Sequence, residues 1–209
     1  MVANTIAIYS VIIPLITVII TFKSISNTLK TLGVFVFVMA GFEVINSIHM
    51  HHGINNMYVF HIYSYIEFIV ISFIFYSLYK TKTYKIGVIF SVLLFYSFSI
   101  LNVIKWESFN DFNSNQFAFE AVLIFFYCIG YYTELMQKPS VIHLEKSPEF
   151  LLVSGYFIYF SGTFMLFISS KELLMTNNEG YWILNSVLNI MLNTIYTIVL
   201  WQGKTKSTL

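Results

Sequence analysis

Apolar positions in this chain come in long unbroken blocks, without the strict alternation of a half-buried strand or the narrow stripe of a helix on a soluble core. Seven blocks reach the roughly 20 residues that a helix needs to cross the hydrocarbon layer. They run approximately Thr5–Phe22, Thr31–Ile48, Tyr58–Tyr79, Ile86–Ile104, Phe117–Gln137, Pro148–Ser170 and Tyr181–Gln202. The connectors are short and polar, for example "KTKTYK" and "HMHHGINNM", and none is long enough to hold a soluble domain. The pattern predicts an all-α integral membrane protein, with residues 1–209 forming one seven-helix transmembrane domain. The first ten residues lack the basic n-region of a signal peptide and lead directly into the first block, which is expected to be a retained span.

Composition agrees with that reading. Of the 209 residues, 57% are hydrophobic and 10% charged, against about 25% charged in an ordinary soluble domain. All eleven basic residues are lysine, so the guanidinium fork that grips phosphate is missing. With a formal charge of +1, nucleic acid is excluded as an expected partner. Cys128 has no second cysteine to pair with, so no disulfide or CxxC site exists.

Lysine placement sets the expected orientation. Lys23, Lys30, Lys80, Lys82, Lys85, Lys138, Lys146, Lys204 and Lys206 fall on one side of the spans, and only Lys105 and Lys171 on the other. Cytoplasmic loops carry the excess of basic residues. The N-terminus is therefore expected outside and the C-terminus in the cytoplasm of a bacterial inner (cytoplasmic) membrane. Trp106, Trp182 and Trp201 fall at predicted span ends, where amphipathic rings prefer the interface.

Against this apolar background the polar groups inside the spans carry the candidate chemistry. An ionisable side chain in the bilayer interior is costly and normally faces the bundle interior or a wet cavity. Glu43, Glu67, Glu120, Glu134 and His61 are the instances. Helical spacing groups the polar positions by face. Glu43, Asn46, Ser47 and Met50 form a strip on the second span; Tyr63, Ser64 and Glu67 share a face of the third. Glu120, Tyr127, Tyr131 and Glu134 run along the fifth, and Asn185, Asn189 and Asn193 recur every fourth residue on the seventh. Turning these strips inward predicts a core lined by Glu43, Asn46, Glu67, Glu120, Tyr127, Tyr131, Asn185, Asn189 and Asn193, opening toward the His-rich connector after the second span. Glu134, near the inner end of its helix, also suits a snorkelling interfacial position.

His49, His51, His52 and His61 collect at the outer end. Imidazole and carboxylate are zinc ligands, and these four with Glu43 or Glu120 are the candidate metal ligands, although neither HExxH nor HxxxH occurs. No cofactor is required otherwise. The seventh span lacks the lysine that a retinal Schiff base needs, and no GxSxG element or intraspan aspartate supports hydrolysis.

The expected function is non-enzymatic handling of ions, protons or a small ligand by a transporter, channel or sensor. The alternatives are a metal- or lipid-dependent intramembrane enzyme, and a membrane-perturbing accessory or effector protein such as those of phage defence. The expected partners are the lipid bilayer, a second copy of the chain, or a membrane or cytoplasmic protein.

Overall fold

A computed structural model describes residues 2–137, 144–169 and 179–206, without the side chains of residues 2–4, 145, 179, 181–182 and 205–206. Lys138, His143 and Lys171 lie outside the described residues, as do the side chains of Tyr181, Trp182 and Lys206. The described residues are mainly helical, and among them seven helical segments are long and apolar enough to cross a membrane. The first span, Thr5–Ser24, consists of α1 (Val2–Ser10) and α2 (Ile12–Thr21) followed by a single 3-10 turn. The others are α3 (Asn27–His52), α4 (Met57–Leu78), α5 (Lys82–Lys105), α6 (Ser114–Gln137), α7 (Pro148–Ile168) and α8 (Glu179–Lys206). Helices are the solution the bilayer imposes, since a lipid-exposed backbone must satisfy its hydrogen bonds within its own segment.

The first span divides because of Pro14. Proline has no N–H to give to the carbonyl of Ser10, and its ring crowds that carbonyl. Regular helix is interrupted at Val11 and resumes where Leu15 N donates to Val11 O at 3.1 Å. The break separates two packing partners: α2 lies against α3 and α8, whereas α1 packs on α8.

The remaining neighbours follow a closed order. Helix α3 packs on α4, α4 on α5 and α6, α5 on α6, α6 on α7, and α7 on α8, which returns to α1 and α2. Six spans thus make a ring, and α5 lies outside it against α4 and α6. The outward positions are apolar: Ile13, Ile16, Ile19 and Ile20 on α2, and Ile86, Ile89, Phe90, Leu93 and Ile104 on α5, are all exposed. In water such a surface would be an interaction patch; around seven spans it is the lipid-facing coat.

Two glutamates are used as backbone caps. Glu134, on the last turns of α6, accepts Lys80 N at 3.0 Å and Thr81 N, the amides of the two residues that lead into α5. It is buried rather than snorkelling toward the interface. Carboxylates are favoured at helix N-termini, where unpaired N–H groups and the helix dipole both attract negative charge. Glu107, in the α5–α6 connector, does the same for α6. It accepts Asn115 N at 3.1 Å, Asn102 Nδ2 at 2.9 Å and the Ser114 hydroxyl.

The second span is longer than its apolar block. Ser26 Oγ accepts Leu29 N at 3.4 Å and starts α3 early. At the other end the helix runs through His49, His51 and His52, which the sequence reading assigns to a connector. Gly53, at φ 65°, stops it. Ile54 N bonds to His49 O at 2.9 Å and Gly53 N to Met50 O at 3.2 Å, which is a Schellman closure. Histidine is compatible with a helical last turn, so the first residue able to end the helix is the glycine.

Candidate functional site

One half of the ring encloses a cavity of about 550 Å³, within the 300–1,000 Å³ range of small-molecule sites. Its wall is built from α1 (Ala7, Ile8, Val11), α3 (Met39, Phe42, Glu43, Asn46, Met50), α4 (Phe60, Tyr63, Glu67), α7 (Tyr159, Phe160) and α8 (Asn185, Asn189, Asn193), with Asn56, Met57 and Phe112 toward the connectors. One turn deeper on each helix the side chains close up. Phe35 lies beneath Met39, Tyr156 beneath Tyr159, Tyr196 beneath Asn193, and Phe68 and Phe75 follow Glu67; all five are fully buried. The cavity therefore runs from the His-rich end to mid-bundle, about 15 Å along α4 at 1.5 Å per residue, and stops on an aromatic floor.

The polar wall is hydrogen-bonded in a particular way. Tyr63 OH donates to Glu67 Oε1 at 3.0 Å. Asn189 Nδ2 donates to Asn185 O at 2.9 Å, while its Oδ1 accepts from Tyr159 OH at 3.4 Å. Asn193 Nδ2 donates to Ser10 Oγ at 2.7 Å, and Ser10 passes its own proton to Ala7 O at 2.6 Å. The acceptors met by the N–H₂ groups of Asn189 and Asn193 set the orientation of those two amides. Acceptors are left over on this wall. Asn185 Oδ1 and Asn193 Oδ1 are buried without a partner, and among the described residues Glu43 and Glu67 Oε2 have none either. Asn193 is 5% exposed and Glu67 4%. Among the described residues, no lysine lines the cavity.

Of the nine core residues proposed from sequence, six line this cavity: Glu43, Asn46, Glu67, Asn185, Asn189 and Asn193. Asn46 Oδ1 accepts from Asn56 Nδ2 and ties α3 to the start of α4. The strip on α6 goes elsewhere. Glu120 is fully buried between α6 and α4, with Ser64 Oγ donating to Oε2 at 2.5 Å and Oε1 unpartnered. Tyr127 is held by Ser72 at 3.1 Å and by Ser91 in the packed half, and Tyr131 packs beside Tyr132. Ser47 is exposed and outside the wall.

Searches of protein families, curated proteins and solved structures found no match to this chain. The site must be read from its own geometry.

The histidines are dispersed. His49 Nδ1 lies 2.8 Å from Ile45 O and its Nε2 2.8 Å from Tyr58 OH. His51 and His52 are exposed and meet edge to face, with centroids 5.3 Å apart. His61 is fully buried against the α5–α6 connector, its Nε2 3.1 Å from Asp111 O and its ring 5.2 Å from that of Phe109. Among the described residues, no three His, Cys, Asp or Glu side chains converge as a metal-holding group.

Tyr159 is a wall residue that sequence reasoning missed. The signal was present, since Tyr156, Tyr159 and Thr163 recur at i, i+3 and i+7 on α7 and give that span a polar meridian within an aromatic run. Ser10 was legible only as a hydroxyl, because its partner is 183 residues away.

Proposed function

We propose that this chain handles protons, a small cation or a small polar ligand without transforming it, and that it does so as a carrier or sensor. The observation carrying the reading is the placement of Glu43, Glu67 and the Asn185–Asn189–Asn193 ladder around one cavity that ends on a packed aromatic floor. An open channel would need a continuous wet path; a one-ended cavity calls for a second conformation or a coupled response. With the lysine-rich connectors in the cytoplasm of a bacterial cell, the cavity would face outward from the inner membrane.

Proteoliposomes test this directly. Purified protein is expected to pass protons or potassium under an imposed gradient above the leak of empty vesicles, and Glu67→Gln is expected to lower that flux by about tenfold, one lost charged contact at a binding step. Equal fluxes for the native and Glu67→Gln proteins would remove the cavity from the mechanism. An absence of any flux would leave the carrier reading without support and turn attention to the sensor.

A further inference from the structure

The cavity is lined in a way that narrows its ligand. Most of its wall is apolar or aromatic: Ile8, Met39, Phe42, Phe60 and Phe160 cover far more of it than an inorganic cation could use. A bare ion of a few ångströms would leave most of about 550 Å³ to water or to nothing, and apolar voids lack the polar partners that hold ordered water. The polar part carries two carboxyl groups and no cation among the described residues. The Tyr63 and Tyr159 hydroxyls donate to Glu67 Oε1 and Asn189 Oδ1, and Glu43, Glu67 Oε2 and the buried Asn193 Oδ1 are acceptors of this wall without a donor among the described residues. The unpartnered Asn193 carbonyl is held in its orientation by Ser10, independently of the two carboxyls. A ligand that completes this wall brings N–H donors and positive charge at one end and an apolar body at the other. The rings of Phe42 and Tyr63, 5.4 Å apart and edge to face, add an aromatic surface suited to an ammonium group.

We propose that the cavity binds an amphiphilic primary amine, its ammonium group taken up by Glu67, Glu43 and the Asn193 carbonyl and its hydrocarbon part laid among Ile8, Met39 and the phenylalanines. The inference rests on the carrier-or-sensor reading above and gives it a ligand class. Access for a lipid-dissolved molecule is consistent with the first span. Below Pro14, α2 packs on α3, whereas α1 packs mainly on α8, and Glu43 on the outer part of α3 is only half-buried.

The experiment compares octylamine with octanol, octanoic acid and ethylamine on full-length protein in lipid nanodiscs, reading ligand binding by native mass spectrometry at matched free concentrations. Octylamine is expected to bind saturably with one molecule per chain, and at least tenfold more tightly than octanol or octanoic acid, which lack the charge or reverse it. Ethylamine, which keeps the head but loses the body, is expected to bind at least tenfold more weakly than octylamine. Glu67→Gln and Glu43→Gln should each weaken octylamine by about tenfold while leaving octanol unchanged. Ala7→Trp, which fills the cavity without touching a carboxyl, should reduce binding too. Octylamine binding no tighter than octanol would overturn the proposal, as would equal binding of ethylamine or indifference to both carboxyl variants. If octylamine fails while proton or potassium flux in the same preparation still depends on Glu67, the amine assignment alone falls. If that dependence is also missing, the carrier reading falls with it.

Discussion

Glu107→Gln is expected to destabilise the protein by about 2–3 kcal/mol, although it changes one oxygen to an NH₂ group in a connector. Both oxygens of the native carboxylate accept. Oε1 takes the Ser114 hydroxyl and Asn115 N at 3.2 Å, and Oε2 takes Asn102 Nδ2 at 2.9 Å and Asn115 N at 3.1 Å. Whichever way a glutamine amide is turned, its NH₂ meets a donor, in a site where the residue is 1% exposed. At least one buried donor loses its partner, a loss of about 1–3 kcal/mol, and the negative charge at the start of α6 goes with it, a further contribution of up to about 1 kcal/mol. Thermal unfolding in detergent micelles, followed by helical circular dichroism, is the measurement. The same substitution at Glu67 is expected to leave the midpoint unchanged or raise it. Glutamine there still accepts from Tyr63 OH, and no backbone donor depends on the lost charge. An equal loss of stability in the two variants would contradict the division between capping and cavity carboxyls.

That division explains what the sequence could and could not convey. Seven spans were legible because lipid is the solvent: blocks of Ile, Val and Phe of sufficient length have few other destinations. The strips on α3 and α8 were legible because Glu43 with Asn46 and the Asn185–Asn189–Asn193 series are sparse polar positions at helical spacing, and both line the cavity. The strip on α6 has the same spacing but a different neighbour. Glu120 meets Ser64, Tyr127 meets Ser72 and Ser91, and Glu134 meets the α5 N-terminus. Spacing identifies a shared face; it does not say which helix lies against that face. In a soluble helix the apolar stripe answers that question, but here lipid-facing and core-facing positions are equally apolar, as the exposed Phe90 and the buried Phe95 on α5 illustrate. Glu107 escaped notice for the opposite reason. In "KWESFNDFNSNQ" it reads as one more polar connector residue, and only the fold brings Asn102, Ser114 and the Asn115 amide around it.

Gly155→Leu is expected to damage the helix bundle, with a loss of about 3 kcal/mol and failure to form the cavity. A Cβ added at Gly155 would lie 2.8 Å from Ile195 Cγ2 and 3.0 Å from Ile195 Cδ1; one added at Gly162, a further two turns along α7, would lie 2.8 Å from Leu188 Cδ1. The two glycines therefore let α7 and α8 approach closely over that length, as small residues do between membrane helices. Leucine at 155 has to displace Ile195 or push the helices apart, and overpacking of a dense interior costs about 1–3 kcal/mol and sometimes more. The consequence reaches the site, because the Tyr159–Asn189 hydrogen bond spans the same two helices and is already 3.4 Å long. The amine binding and Glu67-dependent flux described above should disappear in any Gly155→Leu protein that still inserts. Gly41→Ala is the control: a Cβ there meets nothing within 4 Å, so the better helix former should add about 0.5–1 kcal/mol. Both values are measurable by unfolding in the same micelles, and a Gly155→Leu protein as stable as the Gly41→Ala protein would show that α7 and α8 are not locked together at this point.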